Sequence, residues 1–205
     1  MTTAIQSPTW TSSTPSSHGR SLTQISLPLL HALTSTDLSA AARLAHPITL
    51  SPYLSSPSCL SVWTRRIRQI EAAPADAPWV TRLLVYAGEA VGRAGFHGPP
   101  DERGMVEVGY EVCVDHRRQG HARAAMLIMM GVAVEEPAVK VIRATFTPDN
   151  AASRALIESF GFVHTGEQMD DEDGLELIYE TSKEDMRRQL RKWSLQESEV
   201  VTFTS

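Results

Sequence analysis

Cysteine is nearly absent from this chain. Cys59 and Cys113 are the only two in 205 residues, so neither a disulfide framework nor a four-cysteine zinc site can be built. No apolar run approaches the roughly 20 residues that span a bilayer, and the N-terminus lacks a basic-then-apolar leader. Positive charge is also short. Lys and Arg number 19 against 24 Asp and Glu, a net charge of −5, without the basic excess of a general nucleic-acid binder. Two familiar phosphate signatures are missing: Gly-x-x-x-x-Gly-Lys-Ser/Thr, and Gly-x-Gly-x-x-Gly after a strand. Their absence argues against a nucleotide triphosphatase and a Rossmann dehydrogenase. His97, His116, His121 and His164 lack metal-ligand spacing, so no metal is expected. The simplest expectation is a soluble protein of the reducing cytoplasm, engaging neither membrane nor nucleic acid.

What is present is ordinary globular material, 42% hydrophobic and 21% charged, long enough for one domain with its own core. Its most informative stretch runs from Val106 to Ala125. Val106, Val108, Tyr110, Val112 and Val114 alternate with polar or small residues, the period of a β-strand. A basic turn containing Gly120 follows, then an alanine-rich helix over about Ala122–Val134. A strand, a glycine turn and a helix present unpaired N–H groups and the positive end of a helix dipole to an anion. Arg117, Arg118 and Arg123 add charge there. A phosphate or pyrophosphate site is expected; the alternative is a solvated basic loop.

Arg117-Arg118-Gln119-Gly120-His121-Ala122 resembles the Arg/Gln-x-x-Gly-x-Gly/Ala signature of the GNAT N-acetyltransferase superfamily. Downstream, a strand at Val141–Phe146 precedes Asn150-Ala151-Ala152-Ser153 and a helix ending at Gly161-Phe162. That segment is similar to the Asn-x-x-Ser helix of the ribosomal-protein-alanine acetyltransferase branch. The resemblance spans roughly Trp79 to Glu180. It implies a mixed, mostly antiparallel α/β sheet flanked by helices, with a splayed central strand pair.

It also implies an acetyl-CoA-dependent N-acetyltransferase acting on an amine, most simply a small molecule, with a homodimer allowed. A protein N-terminal amine is the other acceptor left open. A non-catalytic acyl-CoA binder, or an interaction protein using Arg187, Arg188, Arg191 and Lys192, are readings from other classes.

The pattern along the chain divides it into a Ser/Thr/Pro-rich, loosely ordered tail (1–20), the transferase domain (21–180), and a C-terminal helix with a mobile end (181–205). Within the domain, a short helix is expected after Asp37, a proline-rich loop over 47–57, and an amphipathic helix over Val62–Glu71 with its arginines outward. A hairpin turning at Gly88-Glu89 comes next, and a second hairpin closes the domain around Asp170–Gly174.

By the resemblance, the residues 117–123 (Arg117, Arg118, Gln119, Gly120, His121, Ala122, Arg123) hold the pyrophosphate. Backbone N–H groups of Val112, Cys113 and Val114 meet the pantetheine and thioester, Asn150 binds the pantetheine amide, and Ser153 faces the sulfur. Helix capping explains Asn150 and Ser153 equally well. Glu111 and Glu107 share one strand face with Gly109. They are the candidate bases, Glu111 first, and solvated strand positions otherwise. Tyr110 lies on the opposite face and is read as core. Many family members place a tyrosine seven residues after the asparagine; here that position is Ile157, so the usual acid is missing. The acidic run Asp170–Asp173 is either a plain hairpin tip or a means of steering a cationic acceptor.

Overall fold

The computed structural model describes residues 4–172 and 174–202, with side chains described through Ser194. Among these residues nine strands form one sheet. In chain order the elements are β1 (Thr9–Trp10), β2 (Arg20–Gln24), α1 (Leu27–Thr34), α2 (Leu38–Ala45), β3 (Thr49–Leu50) and α3 (Pro57–Ala72). Then come β4 (Arg82–Tyr86), β5 (Glu89–Phe96), β6 (Met105–Val112), α4 (His121–Glu135), β7 (Val141–Phe146), α5 (Ala151–Ser159), β8 (Val163–Asp170), β9 (Gly174–Ser182) and α6 (Lys183–Thr202). The strand order is β1-β2-β4-β5-β6-β7-β9-β8, with β3 added beside β5. Pairing is antiparallel except at β3·β5 and β6·β7, in keeping with the mixed, mostly antiparallel sheet expected.

Two cores cover the two faces. One is built on α4, whose Ala124–Met130 stretch is entirely buried, together with Val106, Val108, Phe96, Ile157 and Met186. A helix apolar all round has to be enclosed, and the sheet, α5 and α6 enclose it. The other joins α1, α2 and α3 to the opposite face through Leu30, Leu33, Trp63, Ile67 and Leu83.

The feature that positions the site is the β6–β7 pair. Their parallel ladder runs from Met105↔Val141 to Val108↔Ala144 and stops there. β6 continues to Val112, paired only with β5, while β7 continues alongside β9. The two central strands therefore part after Val108.

Three expectations are corrected. The N-terminal segment is no loose tail in its described part: β1 pairs with β2, and Ile5 and Trp10 are buried. The cause is Arg82, fully buried at the start of β4, which donates hydrogen bonds to the carbonyls of Ile5, Ser7, Pro8 and Pro78. Its guanidinium lies 3.5 Å over the Trp10 ring, and burial pulls its pKa down to about 9. A composition rule cannot register a partner more than seventy residues away.

Secondly, Pro57 does not extend a loop; it starts α3, with Ser56 accepting from the Cys59 N–H as cap. On that helix Arg66 turns inward, only 5% exposed. Finally, the C-terminal helix α6 runs on to Thr202, through most of the end expected to be mobile. Leu190 and Trp193 pack onto the α4 core and hold it. Residues 203–205 of the expected mobile end lie outside the described residues.

Candidate functional site

The turn between β6 and α4 is shaped by two left-handed residues, Arg118 (φ 62°) and Gly120 (φ 79°). Gly120 is the N-cap of α4, and no side chain caps that helix. The first helical bond runs from Ala124 N–H to the Gly120 carbonyl. The N–H groups of His121, Ala122 and Arg123 are thus left without intrahelical partners, as at any helix start, and form an anion-binding end. Space around Gly120 is open, with no atom within 4 Å of where a Cβ would lie.

A cleft of about 460 Å³ opens over this turn, lined by Tyr110, Val112, Arg117, Gly120, Asn150 and Ser153 among others. Glu111, His116, Arg118, His121, Ala122 and Arg123 also reach it. Most of the residues expected to hold a coenzyme therefore meet in one place. Gln119 does not line the cleft: its carbonyl accepts from Arg20 Nη2 at 3.0 Å. Arg20 also donates from Nε to Nδ1 of His121 at 3.2 Å. Burial, then the charges of Arg20 and His116, lower the pKa of His121, so its ring is neutral with the proton on Nε2. Arg123 packs toward Phe160 and Trp193, 5.4 and 5.0 Å from the ring centres. Arg20 belongs to the segment whose order sequence reasoning missed, and no local pattern pointed to it.

The donors at the splay are not the expected three. Backbone groups alternate sides along a strand in an antiparallel pair. Glu107 O accepts from His97 N, and Cys113 N donates to Val91 O, both toward β5. Cys113 is therefore engaged, and Val114 has left the strand to open an exposed 3-10 turn. By the same alternation the N–H groups of Tyr110 and Val112 point to the side β7 has vacated. Arg117 confirms the direction by donating from Nε to the Val112 carbonyl at 3.2 Å.

Asn150 is the N-cap of α5, its Oδ1 accepting from Ser153 N at 3.0 Å. Capping leaves its amide NH2 and the Ser153 hydroxyl to the cleft. Tyr110, read as core from the sequence, is only half-buried. Its hydroxyl is enclosed without a hydrogen bond of normal geometry. Burial raises its pKa, and the neighbouring Ser153 offsets part of that rise. Ile157 is fully buried, so the helix indeed brings no tyrosine.

A second cleft, about 420 Å³, shares Tyr110, Asn150 and Ser153 with the first and lies toward α3 and the β8–β9 hairpin. The two spaces meet where β6 and β7 separate. Arg65 on α3 and Glu172 in the hairpin turn both line the second cleft and form an ion pair of 2.7 Å. Glu172 is the member of the acidic run that reaches this cleft; Asp173 lies outside the described residues.

Neither candidate base is free. Glu111 Oε2 sits 2.5 Å from Arg93 Nη2, with the carboxylate side chain 30% exposed. Glu107 is 17% exposed and accepts from Thr145 Oγ1 at 2.7 Å. Burial alone would raise the pKa of Glu107. The hydrogen bond and charge of His97, Thr145 and the charge of Arg143 outweigh it, and the value is lowered. A carboxylate held below its ordinary range in this way is poorly matched to a base working near neutrality.

Among the described residues no cluster of three or more His, Cys, Asp or Glu is placed to hold a metal ion. No helix there is long and apolar enough to cross a membrane.

Comparison with known proteins gives this geometry a context. The profile of the acetyltransferase (GNAT) domain matches residues 29–163. The uncharacterized N-acetyltransferase YjdG of Bacillus subtilis (strain 168) is 37% identical over 75 residues, 37% of this chain and 45% of that protein. The match thus spans under half of that relative. Two solved structures share the fold at low identity. Mycobacterium smegmatis RimJ, in complex with CoA-disulfide, superposes with a TM-score of 0.59 at 17% identity, covering 85% of this chain and 90% of its own. A chimera of the spermidine N-acetyltransferase SpeG from Vibrio cholerae gives 0.60 at 11%, covering 82% and 98%.

Proposed function

Because this chain belongs to the GNAT acetyltransferase family, we propose that it moves the acetyl group of acetyl-CoA directly onto the amine of a small molecule. The observation that carries this reading is the meeting of two clefts at the parted β6–β7 pair. One cleft has an uncapped helix start and arginines suited to a pyrophosphate. The other is a separate, partly closed space for an acceptor.

Arg117, Arg118 and the first N–H groups of α4 hold the pyrophosphate. Asn150 binds the pantetheine amide, and the N–H groups of Tyr110 and Val112 stabilise the oxyanion of the tetrahedral intermediate. Ser153 and the Tyr110 hydroxyl stand beside the leaving sulfur. The raised pKa of Tyr110 keeps it protonated, so it takes the place of the tyrosine missing at Ile157. Glu111 holds Arg93 in the wall, and Glu107 is engaged by Thr145 and His97. The base is then a group that Glu107 orients, and neither carboxylate itself.

A small acceptor is favoured by the Arg65–Glu172 pair, which joins α3 to the hairpin turn within the cleft lining and narrows the room for a polypeptide. The test is calorimetry with CoA, followed by thiol release from acetyl-CoA with spermidine, glucosamine and an alanine tripeptide as probes. CoA binding and release with a small amine are expected. Folded protein that binds no CoA would remove the reading.

A further inference from the structure

We propose that His97 is the proton acceptor of the transfer and that Glu107 is the residue that positions it; this rests on the acetyltransferase reading above. His97 follows the last residue of β5 and lines the acceptor cleft beside Gly109, Tyr110 and Thr145. Its Nδ1 lies 3.3 Å from Oε1 of Glu107, the oxygen that also accepts from Thr145. A half-buried, ionised carboxylate at that distance favours the proton of a neutral ring on Nδ1 and leaves the lone pair on Nε2.

Nε2 is placed by Gly109. A Cβ there would come 2.7 Å from it, so only glycine lets the ring lie against β6 at the first residue beyond its pairing with β7. The next residue, Tyr110, is shared by both clefts. The main chain of His97 is held as well, its carbonyl accepting from Arg66 Nη1 at 2.9 Å and Gln69 Nε2 at 3.0 Å. The side chain is 45% exposed, so a proton taken up can pass to solvent.

The charged groups around this ring come from several elements, as its ion-pair partner or as fellow lining of the cleft. They are Glu107 on β6, Arg65 and Arg66 on α3, Arg93 on β5, Glu172 in the hairpin turn and Glu176 on β9. Arg143 on β7 acts on it through Glu107. Among the ion pairs of the described residues, that with Glu107 is the one that involves the imidazole.

In the step, the neutral amine nitrogen bonds to the thioester carbonyl carbon, and its surplus proton moves to His97 Nε2. Collapse of the intermediate breaks the C–S bond, and the thiolate departs with the electron pair and is protonated from Tyr110–Ser153. The imidazolium gives its proton to solvent, and solvent restores the Tyr110–Ser153 proton, so the balance closes on amide and thiol. A well-placed general base contributes about 10²–10⁴-fold.

Two measurements on the full chain decide the proposal. Nitrogen-15 NMR of the histidine rings should show His97 in the Nδ1–H tautomer when neutral; the Nε2–H tautomer would overturn the idea whether or not turnover is found. The second is kcat/KM against pH, with acetyl-CoA and the most active of the three probe amines. His97→Gln should lose about 100-fold in kcat together with the acid limb, and keep its CoA affinity. Glu107→Gln should lower kcat and move the His97 ring toward the Nε2–H tautomer, and Glu107→Asp should restore both. A limb that survives in His97→Gln but vanishes in Glu111→Gln would transfer the role to Glu111. Loss of CoA binding in the unmutated chain would instead count against the acetyltransferase reading alone.

Discussion

Replacing Gly120 by alanine separates a turn that is merely glycine-tolerant from one that shapes a coenzyme site. Gly120 has φ 79°, and a Cβ there meets no atom within 4 Å. The cost of the methyl group is therefore conformational, roughly 1–2 kcal/mol for an L-residue in the left-handed region. In a chain of this size each 1 kcal/mol lowers Tm by about 2–4 °C. Relief of that strain rotates the turn and re-aims the free N–H groups of His121, Ala122 and Arg123. One charge-assisted hydrogen bond is worth about 1.5–3 kcal/mol, so losing one weakens CoA binding at least about tenfold. Gly161 supplies the control: φ is 81°, nothing lies within 4 Å of its Cβ position, and it is not among the lining of the coenzyme cleft. Gly161→Ala should lose similar stability and keep its CoA affinity. Thermal melting and calorimetry with CoA on both variants, at a temperature well below either Tm, give the comparison. Equal CoA affinity in the two variants would refute the role assigned to the turn.

Arg82→Met removes the guanidinium donor from the carbonyls of Ile5, Ser7, Pro8 and Pro78, with Pro8 keeping the Gln24 N–H. A loss of about 3 kcal/mol is expected in chemical denaturation, with new proteolytic cleavage in the first ten residues. The lowered pKa of Glu107 contributes stability that is present above its unfolded value and lost as pH falls through its folded one. Glu107→Gln should therefore flatten Tm against pH below about pH 4.5, near the ordinary carboxylate range; unchanged slopes would contradict it. Tyr110→Phe removes a hydroxyl that has no hydrogen bond of normal geometry, so Tm should hold or rise. Its kcat should fall about tenfold or more while CoA affinity stays the same, and an unchanged kcat would remove Tyr110 from the protonation step.

The half of the site proposed for the coenzyme was legible as local structure. Arg117 to Arg123 are consecutive, and the strand before them and the helix after them follow from periodicity and alanine content. The cap at Asn150 was equally readable, since capping depends on residues within one turn. The acceptor half was not. His97 sits outside any motif, and its significance depends on Glu107 and on the missing Cβ of Gly109 on the neighbouring strand. Tyr110 was assigned to the core by strand alternation, correctly as to face. Alternation cannot say that the sheet opens beside it and that Ser153 arrives from another helix. Cys113 was misjudged for a related reason: which N–H groups face the gap depends on the register with β5.

What the amino-acid order determined by itself is the succession of strands and helices, the glycine at the left-handed turn, and the charge gathered around it. These depend on backbone preferences and side-chain period over a few neighbouring residues. Only the tertiary structure decided where β6 leaves β7 and that Arg82 draws the N-terminal segment into the sheet. It alone brought His97, Glu107 and Thr145 together. Those outcomes turn on contacts between residues far apart in the chain, whose energy depends on register and burial that no local pattern encodes.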